Sequence, residues 1–319
     1  MPLPLLITII VLSALLLAVI LFYSGAFFAA WMVYSHTLVR REGKTWGRQI
    51  SEPDNKELQI MWEEGIKWAS ANVSYKKEVT IQSFDGLKLV AEFYDFGNDK
   101  TVIIMPGRRE CLIYSYFYAF PYKDLGVNVL VIDQRAHGLS EGKYSTCGIL
   151  EAKDVIKWSK FLHDEHKQNT IYLHGVCVGT VCSINVMRDK ECPDYIKAGI
   201  LDSAPISYKE IFGNHMMELG HRLWPTFPII WWYFKKKTHT NINDSQPLKY
   251  ISEVKKPVCF IHGTKDAYCF PEKTKWLFEK ANEPKEITWF ENATHSKVRL
   301  FDSEKYDKVV SEFIKRTRN

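Results

Sequence analysis

The first 39 residues contain no Asp, Glu, Lys or Arg. A charge-free stretch of that length is foreign to a soluble surface, and with no Lys or Arg before position 40 it also lacks the basic start of a cleaved secretory signal. The chain has no Cys-x-x-Cys pair and no Cys/His spacing of a zinc finger, which excludes the common small zinc folds. Its seven cysteines are an odd number, and a disulfide framework is a device of small secreted domains rather than of a 319-residue chain. The thiols therefore read as mostly free, in a reducing compartment. No concentrated basic face emerges from 42 Lys+Arg against 37 Asp+Glu, so nucleic acid is not an expected partner. Internal repeats and low-complexity segments are also missing, and 46% apolar residues exclude wholesale disorder.

What is present divides the chain. Residues 3–33 are almost wholly apolar, interrupted by Pro4, Thr8, Ser13, Ser24 and Gly25. About 20 apolar helical residues cross a hydrocarbon core, so residues 1–38 read as an uncleaved single-pass transmembrane anchor. Arg40, Arg41, Lys44 and Arg48 follow, against a lone Glu42. The positive-inside tendency then assigns the remainder of the chain to the cytoplasm. Residues 39–75 form a juxtamembrane segment whose 57–71 stretch, with Leu58, Met61, Trp62, Ile66 and Trp68 among charges, predicts an amphipathic helix.

From residue 76 to 319 the pattern changes. Two β-rich runs, 78–83 and 87–94, flank Asp85-Gly86, a hairpin signal. Short apolar runs at 101–105, 128–133, 170–174, 197–202, 257–261 and 286–290 then alternate with helical patterns such as 148–163 and 178–188. That alternation predicts an α/β fold with a mostly parallel eight-stranded sheet covered by helices on both faces. Residues 207–246 contain no strand pattern and are dense in Trp224, Phe227, Trp231, Trp232, Tyr233 and Phe234. They read as a helical cap insertion. Lys235-Lys236-Lys237 follows the aromatic run, a combination that suits a membrane-touching lid as well as a packed cap with a solvated lysine turn.

The sharpest chemical signal is His174-Gly175-Val176-Cys177-Val178-Gly179. It stands between a strand and a helix and has the form G-x-nucleophile-x-G, in which small flanking residues permit a turn sharp enough to raise the middle side chain above the sheet. Cys177 occupies the position of the usual serine, and a thiol is intrinsically the stronger nucleophile. An acid after a late strand and a base after the last one complete the expected chain order. Asp266, in His262-Gly263-Thr264-Lys265-Asp266, and His295, in Glu291-Asn292-Ala293-Thr294-His295, hold those places.

Together with Asp133-Gln134-Arg135-Ala136-His137-Gly138-Leu139-Ser140-Glu141-Gly142, which is close to D-x-R-G-H-G-x-S-x-G, and with the H-G-x-x-D stretch ending at Asp266, the chain from residue 76 onward resembles the α/β-hydrolase superfamily. As a whole it is similar to membrane-anchored bacterial hydrolases of the prolyl-oligopeptidase-like and lipase-like branch. Within the same fold, dienelactone hydrolases share a cysteine nucleophile. The resemblance implies an oxyanion hole built from the backbone N–H groups of Arg108, in Met105-Pro106-Gly107-Arg108-Arg109, and of Val178. That loop departs from the His-Gly usual in the family. Arg108 and Arg109 read either as solvated loop residues or as a lure for an anionic acyl or phosphate group.

The functional readings have bland competitors. Cys177 could simply fill a tight turn as a small apolar residue; His295 could be a surface histidine, and Asp266 a helix cap. Asp202 is the reserve candidate for the acid. Asp133 and Arg135 read as loop ties, and His137, His174 and His262 as structural. Ser183 lies six residues beyond Cys177 within a helix, too far to occupy the turn. Asn72, Asn243 and Asn292 head glycosylation triplets that matter only on a secretory route. The expectation is a hydrolase of the carboxylesterase, lipase, thioesterase or peptidase type. It would cleave an ester, thioester or amide bond of an apolar, lipid-like or small-molecule acyl substrate through a Cys177–His295–Asp266 triad and an acyl-enzyme, with no metal or organic cofactor. A non-catalytic membrane-tethered binding protein and an acyltransferase are the alternatives.

Overall fold

A computed structural model describes residues 1–41, 46–48 and 55–317. Glu42 and Lys44 of the basic cluster, with residues 43, 45 and 49–54 of the juxtamembrane segment, lie outside the described residues. Eight strands form one sheet: β1 Lys76–Gln82, β2 Lys88–Tyr94, β3 Lys100–Met105, β4 Asn128–Ile132, β5 Thr170–Val176, β6 Ile196–Asp202, β7 Val258–Gly263 and β8 Lys285–Phe290. Their order is β1-β2-β4-β3-β5-β6-β7-β8, antiparallel at β1/β2 and β2/β4 and parallel thereafter. The hairpin expected around Asp85-Gly86 is the β1–β2 turn, closed by the Ser83 N–H on the Leu87 carbonyl at 2.8 Å.

The central strands are buried along their length because helices cover both faces, which is why they read as continuous apolar runs rather than alternating ones. The helices Leu150–His166 and Val178–Arg188 contribute to the core on one face through Trp158, Leu162, Ile184 and Val186. On the opposite face the core takes in Tyr116, Phe117, Tyr118, the carboxyl-terminal helix Ser303–Arg316 and two helices between β6 and β7, Tyr208–Glu218 and Thr226–Thr238. Lys235, Lys236 and Lys237 form the last turn of the second of these helices, where cations complement the helix dipole, rather than a separate lysine turn.

Two amino-terminal helices dock on that same face. Lys56–Ala71, capped by the Asn55 side chain on the Leu58 N–H at 3.2 Å, buries Met61, Gly65 and Trp68 against the segment around Tyr116. The helix Leu3–Thr37 is long and apolar enough to cross a membrane. It is exposed as far as Gly25; burial begins at Ala26 and continues at Ala30 and Tyr34. Two of the cations that follow it are engaged by the body of the protein. Arg40 reaches the Gly138 and Ser140 carbonyls, and Arg48 donates to Asp133 at 3.0 Å.

Candidate active site

β5 carries the chain up to Cys177, whose backbone sits at φ 52°, ψ −111°, a region that non-glycine residues seldom enter. The strained residue is pinned from both sides: its N–H donates to the Asp202 carbonyl at 2.9 Å, and its carbonyl accepts from the Thr180 hydroxyl. The turn folds backbone directly onto backbone. A Cβ at Gly175 would stand 2.3 Å from the Gly179 carbonyl carbon, and one at Gly179 would stand 2.2 Å from the Met105 carbonyl oxygen. Both flanking positions must therefore be glycine. The helix that follows starts at Val178, so the Val178 N–H has no acceptor within its own helix. Ser183, buried in that helix, donates its hydroxyl to the Gly179 carbonyl at 3.0 Å.

The acid and the base come from the loops after β7 and β8. Gly263 lets these loops touch, since a Cβ there would meet the Ala293 carbonyl oxygen at 2.2 Å, and the Lys265 N–H donates to that same oxygen. Asp266 is buried. Its Oδ1 accepts from the Tyr268 and Cys269 N–H groups at 2.9 and 2.7 Å, and its Oδ2 lies 2.8 Å from His295 Nδ1. A carboxylate is acceptor-only, so Nδ1 carries a proton whether the ring is neutral or charged, and Nε2 is the nitrogen that can exchange one. Burial works against the charge on both groups. For Asp266, the His295 cation and the hydrogen bonds overcome it and hold the carboxyl below its ordinary range. For His295, the charges of Asp266 and then of Cys177 raise the imidazole well above its ordinary value.

Cys177, Val178, Arg108 and His295 line one cavity of about 250 Å³. Its apolar wall comes from Leu58 and Met61 of the amphipathic helix and from Ile211 and Phe212 of the first cap helix. From sequence alone the aromatic cap is expected to face an apolar acyl group, but the amphipathic helix is not assigned to the site, because its pattern tells that a face is buried but not against what. Three polar atoms also stand out. Arg108 Nη1, the Tyr208 hydroxyl and the Ser296 hydroxyl are buried without an oxygen or nitrogen partner among the described residues, and all three residues line the cavity. Burial first, and the Cys147 thiol beside it second, push the Tyr208 phenol far up, so it remains a donor. Glu110, at the same cavity, accepts from the Gly107 N–H at 2.8 Å, and Lys297 pairs with Glu57.

The other candidates fall elsewhere. The Asp202 carboxylate accepts from the Ser203 and Tyr306 hydroxyls, both at 2.8 Å, and burial raises it to about 6. It belongs to a chain that runs from the Tyr122 hydroxyl to His174 Nδ1, then from His174 Nε2–H to Tyr306 and on to Asp202. Arg135 binds Asp154 twice at 2.7 Å and also Asp85, while Asp133 accepts from the Leu112 and Leu139 N–H groups, so these residues tie loops together. His262 shares its Nε2 with the Cys269 carbonyl at 2.8 Å. Cys269 is a second thiol at the site: with Asp266 and His295 it offers ligand atoms within 4.8 Å of one another. Burial raises its thiol to about 12, so it stays protonated beside His295.

No family model matches the sequence. The chain is 30% identical over 217 residues to the uncharacterized protein YqkD of Bacillus subtilis (strain 168), a match covering 67% of this chain and 70% of that one. It is 26% identical over 192 residues to the alpha/beta hydrolase domain-containing protein 17B of Xenopus laevis, over 59% of this chain and 57% of that protein's length. Among solved structures, the Pyrococcus furiosus esterase Pf2001 is 28% identical with a TM-score of 0.66, over 79% of this chain and 95% of that one. An esterase from Exiguobacterium antarcticum, at 15% identity and a TM-score of 0.56 over 75% of this chain and 100% of that one, shares the fold. The sheet order, the strand-to-helix elbow and these relatives make the chain a member of the α/β-hydrolase superfamily, in one family with YqkD.

Proposed function

We propose that the protein is a membrane-anchored hydrolase of acyl substrates that works through Cys177, His295 and Asp266. One observation carries the reading: a thiol on a strained elbow shares a cavity with an imidazole whose other nitrogen is held by a buried carboxylate. His295 Nε2 takes the Cys177 proton as Sγ bonds to the carbonyl carbon of an ester, thioester or amide. The oxyanion that forms is met by the Arg108 and Val178 N–H groups. Collapse of the adduct breaks the bond to the leaving group, which departs with the proton from His295. Water, deprotonated by the same nitrogen, then attacks the acyl-cysteine, and release of the acid returns the proton to sulfur.

The cavity supports a substrate of mixed character. Leu58, Met61, Ile211 and Phe212 suit an apolar acyl chain, and the Arg108 and Tyr208 donors suit an acceptor or anionic group near the scissile bond. The esterase nature of the solved relative Pf2001 agrees with this class. Residues 1–38 serve as the anchor, 39–75 join it to the hydrolase domain at 76–319, and that domain faces the cytoplasm. The test is turnover of a short p-nitrophenyl ester with mapping of an iodoacetamide adduct. Cys177→Ala abolishes turnover and alkylation of Cys177 silences the unmutated protein; a C177A variant as active as the parent would sink the assignment.

A further inference from the structure

The anchor helix does more than tether. At 35 residues it is about 52 Å long, whereas a hydrocarbon core of about 30 Å consumes about 20 residues, those from Leu3 to Phe22. Beyond that depth the helix runs side by side with the second cap helix, Thr226–Thr238. Phe22 meets Trp224 with ring centroids 6.0 Å apart, Phe27 meets Trp232 at 5.8 Å, and Tyr34 stacks on Tyr233 at 6.0 Å. Contacts rise together along both chains, so the two run in the same direction. The depth of the cap, and the docking it leads to, rest on the proposed anchor: with Leu3 to Phe22 in the hydrocarbon, the start of the cap helix would sit level with the point where the amino-terminal helix leaves it.

The loop that precedes this cap helix is consequently the part of the domain nearest the bilayer, and its composition fits. Met217 is 53% exposed, Leu219 60% and Trp224 67%, with Trp232 at 49% one step farther out. Met217 lies in the last turn of the first cap helix, Leu219 and Trp224 stand in the loop and Trp232 on the second cap helix. Four large apolar side chains open to solvent thus gather around the cap tip, with Glu218, His221 and Arg222 exposed among them; exposed apolar clusters of this kind mark interfaces. The exposed Lys235, Lys236 and Lys237 lie at the far end of the same helix. Aromatic residues at the deep end and cations at the shallow end reproduce the order of a membrane interface, where indole rings lie at headgroup depth and lysines reach outward to anionic lipid.

We infer that the cap tip, Met217 to Trp224, inserts into the lipid interface beside the anchor, so that the domain is docked on the bilayer by its cap and not merely leashed to it. The first cap helix, which ends in this tip at Glu218, also supplies Tyr208, Ile211 and Phe212 to the cavity. Docking therefore brings one wall of the cavity to the surface where acyl chains reside.

The experiment uses the full chain in nanodiscs of phosphatidylcholine. A bimane fluorophore is placed through Leu219→Cys, and separately through Glu165→Cys on the opposite face of the sheet, in a background carrying C177A and C192S. Cys192, only half buried, and the nucleophile candidate are thereby removed, and the remaining native cysteines are buried. At position 219 the fluorescence is blue-shifted relative to position 165 and is quenched by lipids carrying a doxyl group near the top of the acyl chain. Adding Trp224→Glu moves the 219 signal toward that of 165. A water-like, unquenched label at 219 overturns the inference, as does a blue-shifted label that lipid-borne doxyl does not quench, which would mean a second protein copy covers the patch. Because C177A is present throughout, neither result depends on the catalytic reading.

Discussion

Replacing Asp266 by asparagine separates orientation from packing. The new side chain keeps an Oδ1 that accepts from the Tyr268 and Cys269 N–H groups, so the loop after β7 retains its shape. Its amide nitrogen, however, faces His295 Nδ1 across 2.8 Å in place of an acceptor. Two N–H donors cannot share that gap, so the imidazole moves its proton to Nε2, the nitrogen that must accept the thiol proton. In a triad this tautomer error costs about 10³–10⁴-fold in kcat, roughly 4–5.5 kcal/mol of barrier. The carboxylate is also the foremost charge holding the imidazole up, against burial that pushes it down. Asp266→Asn should therefore lower p-nitrophenyl ester turnover by about three orders of magnitude and make alkylation of Cys177 weaker at pH 6 than at pH 8, while far-UV circular dichroism stays unchanged. The stability contribution has a defined window. It is fully present between the ordinary carboxyl and imidazole values, is lost as pH falls from the first through the depressed pKa of Asp266, and is lost as pH rises from the second through the raised pKa of His295. If the D266N variant retained turnover within tenfold of the parent with an intact fold, Asp266 would not be the orienting acid, and Asp202→Asn, expected to be mild, would become the decisive variant.

Other outcomes follow from the same geometry. Gly179→Ala pushes a methyl against the Met105 carbonyl, a backbone atom with no rotamer to escape into; it should cost about 1–3 kcal/mol or more, seen as a lower melting temperature, and a neutral effect would show that the elbow is looser than described. Arg108→Gln should reduce the preference of Cys177 for iodoacetate over iodoacetamide by roughly tenfold, because a charge-assisted bond to the reagent carboxylate is lost; an unchanged ratio removes the anion role of that side chain. His174, lowered to about 3 by burial, is neutral when folded but protonates at an ordinary pH when unfolded, so stability falls with pH below about 6.5, by up to about 1.4 kcal/mol per unit. His174→Gln should flatten that acid limb in denaturant melts, and an identical slope would place the acid sensitivity elsewhere.

The fold is legible because its strands are covered on both faces. The runs at 101–105 and 128–133 are apolar without interruption for the reason that β3 and β4 are buried without interruption. Register and neighbour order are not legible: nothing local in β4 says that it pairs with β2 on one side and β3 on the other. At the candidate site, Cys177, Asp266 and His295 can be named because each follows a strand end in a fixed chain order, and backbone constraints such as Gly175 and Gly179 leave a mark in the residue type itself. Cys269 leaves none. It stands three residues after Asp266, and only the curl of the loop that gives its N–H to that carboxylate brings its thiol to His295.

The cap illustrates a different kind of opacity. Trp224, Trp231 and Trp232 look alike in sequence, yet Trp231 is buried against Phe212 and Phe227 while Trp224 and Trp232 turn outward to the anchor helix. Hydrophobicity alone assigns all three to a core. What distinguishes them is the partner: Trp224 and Trp232 meet Phe22 and Phe27 of the amino-terminal helix, whereas Trp231 turns into the cap's own core. On the proposed anchoring, the length of that helix beyond Phe22 and the aromaticity of the cap belong to one feature. Shortening the anchor by deleting four residues between Leu3 and Phe22 would draw the hydrocarbon boundary toward Phe27 and Trp232, and tryptophan fluorescence in nanodiscs would show more quenching by doxyl lipid. The same deletion in a simple tether would leave the domain indifferent and the quenching unchanged.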